Sequence, residues 1–209
     1  MEQRPVRRQP LEVGTTRSRK AAAKISRRRV LLEPALEDQS SLGRPGCRPP
    51  GSVYDEVMKA RIYVDASVVG GCEDAEFSEH SVRLMERFRR GDLVLVISTL
   101  TVQELAAAPD EVRRHLAAVP EAGIETLQLD AEARELAEAY IAEGVISAKM
   151  RADAQHIAIA TLARVDVLVS WNFKHIVNLY RIHGYNSVNL RRGYPTLEIR
   201  APREVLPDE

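Results

Sequence analysis

The chain has 209 residues, 44% hydrophobic and 29% charged, with 30 basic and 30 acidic side chains and two cysteines. Cys47 and Cys72 stand in no Cys/His cluster, which excludes a zinc-ribbon site and a disulfide-built secreted fold, and no run approaches the ~18 apolar residues of a membrane span. An apolar N-terminal h-region is missing from the sequence, so a secretory signal is not expected and a cytoplasmic setting is.

The formal charge of zero hides an asymmetry: residues 1–57 sum to +5 and the remainder to −5. The first stretch is Arg-rich without apolar periodicity and ends in the Gly/Pro/Ser run "SSLGRPGCRPPGS", a composition that cannot bury a core. It is expected to be a disordered basic arm. Three origins fit it: a nucleic-acid-binding arm, an Arg-rich targeting peptide, or an extension from a start codon assigned too early. Met58 stands just before the first expected strand, so residues 58–209 form the folded domain.

From Arg61 the chain alternates apolar strands with helices. "RIYVDAS" (61–67) is β-rich. "EFSEHSVRLMERFRRG" (76–91) predicts a helix stopped by Gly91. "DLVLVIS" (92–98) is a strand-length apolar run. Two short helices follow (101–109 and 110–120), closed by Pro109 and Pro120, then a strand over 124–129. Asp130 caps a helix that ends at Gly144. Ala154, Ile157, Ala158, Thr161, Leu162 and Val165 share one face of a largely buried helix, which feeds the strand "DVLVSW" (166–171). The stretch 178–195 is expected to be a long loop, and "TLEIR" (196–200) a last edge strand. Such alternation predicts an α/β fold, a parallel sheet with helices on both faces. Working residues in such folds gather at the carboxyl ends of strands near the reversal of strand order.

Four polar residues fall at such positions. Asp65 ends the first strand, Glu104 lies on the helix entered from the second, Asp153 heads the buried helix, and Asn172 follows the strand after it. Singly, each also suits a helix cap, a first-turn charge, a solvent-facing acid or a turn. Together, the carboxylates repel one another in a poorly solvated edge unless a divalent cation joins them. An oxygen-only donor set points to Mg²⁺ or Mn²⁺, and such an ion can activate water against a phosphodiester.

The pieces "IYVDASVV", "STLTVQELAA" and "RADAQHIAIATLARVDVLVSWN" resemble the PIN-domain family of metal-dependent ribonucleases, including the VapC-type toxins. The resemblance spans roughly residues 60–200. It implies a five-stranded parallel sheet of order 3-2-1-4-5, an Mg²⁺ or Mn²⁺ site held by Asp65, Glu104 and Asp153, and hydrolysis of RNA. It further implies a homodimer and a small cognate antitoxin. Ser67 matches a frequent hydroxyl near the metal. Asn172 departs from the pattern, standing where many members carry a fourth acid. An asparagine there removes a negative charge, though its oxygen is able to accept from a metal-bound water.

"NFKHI" (172–176) has the form of a subgroup signature, with Lys174 or His175 set to meet phosphate. Lys149, Arg151 and Arg181 are further candidates for backbone contacts. His156 and Trp171 are expected to be core residues. The departure at Asn172 keeps a second reading open, a non-catalytic member that binds RNA or a protein partner. A phosphatase of the haloacid-dehalogenase type wants an acid where Ser67 stands, and no Gly-rich phosphate loop occurs.

Overall fold

The computed structural model describes residues 59–207, so the basic stretch 1–57 lies outside the described residues. Five strands carry the fold: β1 (Arg61–Val64), β2 (Val94–Ser98), β3 (Ile124–Leu127), β4 (Val167–Val169) and β5 (Ile199–Arg200). They form one parallel sheet in the order β3-β2-β1-β4-β5. This is the sheet order that the resemblance implies. The order reverses between β1 and β4, where Tyr63 pairs with Leu168 and Val64 with Val169.

Helices cover both faces: α1 (Ala66–Gly70), α2 (Ser78–Arg90), α3 (Thr99–Ala106), α4 (Asp110–Ala117), α5 (Ala131–Ala142), α6 (Arg151–Leu162), α7 (Leu179–Arg191) and α8 (Pro202–Val205). Successive strand residues point to opposite faces, and the cores divide accordingly. Tyr63, Val96 and Leu168 pack with α5, α6 and α7. Ile62, Val64, Leu95, Ile97, Val167 and Val169 pack with α1 and α2. A small third cluster ties Val69 of α1 to Leu105 and Val112 of α3 and α4. No helix among the described residues is long and apolar enough to cross a membrane.

Local chemistry accounts for the boundaries. Gly91 closes α2 at φ +74°, a left-handed geometry that costs glycine no Cβ clash. Ser98 and Thr101 form a capping box at the start of α3. Asp130 caps α5 by accepting from Ala133 N at 2.8 Å. Two expectations are corrected. The first strand stops at Val64, because Asp65 turns the chain and caps α1. The stretch 178–195 is mostly helix: Asn178 caps α7, which buries Tyr185, Val188 and Asn189. Asn189 makes the burial affordable by bonding Tyr140 Oη at 2.5 Å and Thr161 Oγ1 at 3.3 Å.

Gly71 follows α1 where the chain passes under an indole. A Cβ there would sit 2.6 Å from Ser81 Oγ and 2.8 Å from Trp171 Nε1. Gly71→Ala is therefore expected to destabilise the protein by about 1–3 kcal/mol, the usual cost of overpacking. Chemical denaturation followed by far-ultraviolet circular dichroism would measure it, and an unchanged midpoint would contradict the tight contact.

Candidate active site

The carboxyl edge of the sheet at the β1/β4 switch collects the expected residues. Asp65, just past β1, is only 5% exposed. Its Oδ1 accepts from Ser67 N at 3.1 Å and from Ser67 Oγ at 2.5 Å, and its Oδ2 accepts from Ser170 Oγ at 2.6 Å. The capping role and the expected ligand role thus fall on one carboxylate. Ser67 Oγ also accepts from Trp171 N at 3.0 Å, which binds the turn after β1 to the turn after β4.

Asp153 sits in the first turn of α6, where the helix dipole favours a negative charge. Its Oδ1 accepts from Asn172 Nδ2 at 3.2 Å. The asparagine oxygen accepts from His175 N at 3.0 Å, and this backbone donor fixes which end of the amide faces Asp153. Asn172 therefore holds the neighbouring acid instead of adding a charge beside it, and its oxygen is already engaged. His175 is close enough for its charge to act on Asp153. Its Nδ1 is buried and has no hydrogen-bond partner among the described residues.

Glu104, on α3, meets an imidazole. His156 Nε2 lies 3.2 Å from both carboxylate oxygens, and His156 Nδ1 lies 2.7 Å from Tyr63 Oη. The phenol in turn lies 2.8 Å from Ser98 Oγ, whose other contact is Thr101 of the α3 capping box. His156 and Tyr63 are almost fully buried. A polar chain thus runs from the start of α3, through the central strand and α6, to Glu104. His156 is a core residue, as its helix position suggests, but it also meets Glu104 and lies close enough for its charge to act on Asp65 and Asp153. Only its spacing of three from Asp153, on the same helix face, signals this in the sequence.

The acids act on one another. Burial raises the Asp65 pKa above its ordinary value near 3.8, the His156 charge and the two serine hydroxyls oppose this, and Glu104 adds to it. Burial likewise raises Asp153, with His175 and His156 opposing and Asp65 adding. The two imidazoles and the hydroxyls offset the charge cost only in part.

The structure departs from the expected ligand nest in one respect. Among the described residues, no three His, Cys, Asp or Glu side chains converge on a single ion position. Glu104 is turned to His156 instead. The donor chemistry still suits a hard cation: Mg²⁺ keeps several waters and needs only one or two protein carboxylates. Asp65 and Asp153 supply two, each with acceptor capacity left after its hydrogen bonds.

The basic candidates divide. Lys149 and Lys174 are exposed. Arg151 pairs with Glu138, and Arg181 is spent on the carbonyls of Val145 and Lys174. Both arginines are thus held by the protein itself rather than free for phosphate.

No protein-family model and no curated protein matches the sequence. Among solved structures, the chain is similar to Mycobacterium tuberculosis VapC20, described as a sarcin-ricin loop cleaving toxin, at 16% identity and a TM-score of 0.43, over 55% of this chain and 92% of that one. It is also similar to VapBC2 from Rickettsia felis bound to a DNA fragment from its promoter, at 13% identity and a TM-score of 0.43, over 68% of this chain and 98% of that one. Likeness at this identity concerns the fold.

Proposed function

We propose that the protein is an Mg²⁺- or Mn²⁺-dependent endoribonuclease. The observation that carries this reading is the pair of poorly solvated carboxylates, Asp65 and Asp153, at the strand-order switch, each with its pKa raised by burial and by another acid. A dication bound there relieves that repulsion and supplies the positive charge that a phosphodiester transition state needs. Asp65 and Asp153 would hold it. Glu104, steadied by His156, is set to orient a water or take its proton. Ser67 and Ser170 fix Asp65, and Asn172 fixes Asp153. Exposed Lys174 and half-buried His175 flank the edge where a phosphate would lie. A homodimer and a cognate antitoxin belong to the same proposal and rest on the motif resemblance, and a cytoplasmic setting rests on the sequence composition.

The test is incubation of the purified protein with a structured RNA in Mn²⁺, in Mg²⁺ and in EDTA. Cleavage in the presence of either ion and its loss in EDTA are expected. Intact RNA under all three conditions would remove the catalytic reading and leave the binding one.

Asn172→Asp offers a separate check. It places a second carboxylate against Asp153 in place of an amide donor. Without metal the variant should melt below the wild type, by about 1–3 kcal/mol for a lost donor and an uncompensated charge. Added Mn²⁺ should then raise its melting temperature more than it raises that of the wild type. Equal shifts in both proteins would argue against a cation at this edge.

A further inference from the structure

The residues on either side of Asn172 form an aromatic ledge that the acid chemistry does not use. Trp171 stacks on Phe77, with ring centroids 4.5 Å apart and planes at 25°. Phe173 closes the group, 5.9 Å from Trp171 and 6.5 Å from Phe77. His80 adds an edge contact to the indole at 6.5 Å. The indole is held from three sides: Nε1 donates to Ser81 Oγ at 2.8 Å, Gly71 leaves room for its edge, and Phe77 covers one face. Phe173 rests on this fixed base and is 41% exposed, an unusual position for a phenyl ring.

The ledge belongs to the site by covalent and hydrogen-bond distance. Trp171 N bonds Ser67 Oγ, which bonds Asp65. Asn172, between the two rings in sequence, bonds Asp153. Phe173 follows Asn172 directly in the chain, so a strand whose phosphate met the acids would pass beside the ledge. Exposed Lys174 follows directly and supplies a charge for the strand's backbone.

Building on the nuclease reading, we infer that Phe173, braced by Trp171 and Phe77, is a stacking platform for an unpaired base next to the phosphate at the acidic edge. The ligand class is single-stranded RNA. A base inside a duplex is already stacked on both faces and cannot lie on the ring, so the platform selects unpaired segments without reading their sequence.

Trp171 is the only tryptophan, and it reports on the ledge directly. The full-length protein, in low salt with EDTA, is titrated with a single-stranded octaribonucleotide and with the duplex of the same sequence, following indole fluorescence. Saturable quenching by the single strand, at least about tenfold tighter than by the duplex, is expected. Phe173→Ala and Phe173→Leu should each weaken the single strand by about 5- to 150-fold, the range for one stacked base. Phe173→Tyr should keep the affinity. Phe173 is partly exposed but also touches Trp171 and Phe77, so melting curves of the three variants separate a lost base contact from lost stability.

Unchanged affinity in Phe173→Ala would overturn the platform. So would full affinity in Phe173→Leu, which would make the ledge a plain apolar surface suited to a protein partner. Quenching without any Mn²⁺-dependent cleavage would sink the nuclease reading and keep the platform. Cleavage with equal affinities across the Phe173 variants would do the reverse.

Discussion

Asp65→Asn is expected to lower RNA cleavage by about 10²–10⁴-fold, the range for removing a group that acts in the transition state. It is also expected to raise the melting temperature of the metal-free protein at neutral pH. Asparagine can keep the bond from Ser67 N that caps α1, and Ser170 Oγ can turn to accept from the new amide. What disappears is a buried charge that Glu104 and Asp153 oppose. The pH dependence carries the sign. The native Asp65 pKa lies above its ordinary value near 3.8, so between those two values the native state binds more protons than the unfolded one. Wild-type stability therefore falls as pH rises through that window and stays reduced above it. The variant lacks that loss. The difference in melting temperature, Asp65→Asn minus wild type, should grow from pH 4 toward pH 7 in EDTA. In a domain of this size about 2–4 °C corresponds to 1 kcal/mol. A variant that melts lower at pH 7, or a difference that does not change with pH, would mean that Asp65 is mainly a helix cap.

Tyr63→Phe should have the next largest effect, although it removes only one oxygen. That oxygen lies between His156 Nδ1 at 2.7 Å and Ser98 Oγ at 2.8 Å in a dry interior. Its loss leaves the imidazole nitrogen without a partner, at a cost of about 1–3 kcal/mol. The ring then loses the contact that sets its angle toward Glu104. On the proposed mechanism cleavage should fall about 10- to 100-fold, the loss usual for a group that orients a site residue from behind. The fall should lie in kcat and leave KM for RNA near its wild-type value, because Tyr63 is buried and touches no ligand. Single-turnover kinetics would separate the two. A rise in KM with unchanged kcat would place the damage elsewhere.

The elements were readable from the sequence where apolar periodicity was strong and punctuation was clear. The strand "LVLVIS", the Asp130-capped helix and the buried helix after Asp153 follow from period and cap alone. Helix α7 was hidden because its segment holds Gly184, Asn186, Ser187 and Asn189, all poor helix formers. Its stability comes from tertiary contacts, Tyr185 Oη to the His175 carbonyl and Asn189 to α5 and α6. Only the cap Asn178 and the spacing of Ile182, Tyr185 and Asn189 hinted at it. At the site, the positions of Asp65, Glu104 and Asp153 could be inferred from strand ends. The partners of those acids could not. That His156 would face Glu104 depends on the rotation of α6 against α3, and that Asn172 would face Asp153 depends on the turn after β4. Both are set by packing across the sheet rather than by local sequence.

The parallel order of the strands has a consequence for biosynthesis. Asp65 and Tyr63 belong to the earliest described strand, while Ser170 and Asn172, which brace the acids, are made more than a hundred residues later. The central strand cannot acquire its β4 neighbour until α5 and α6 have emerged and docked. Until those later residues have been made and docked, Asp65 and Asp153 lack the side chains that brace them, so the acidic edge is assembled well after its first carboxylate is synthesised.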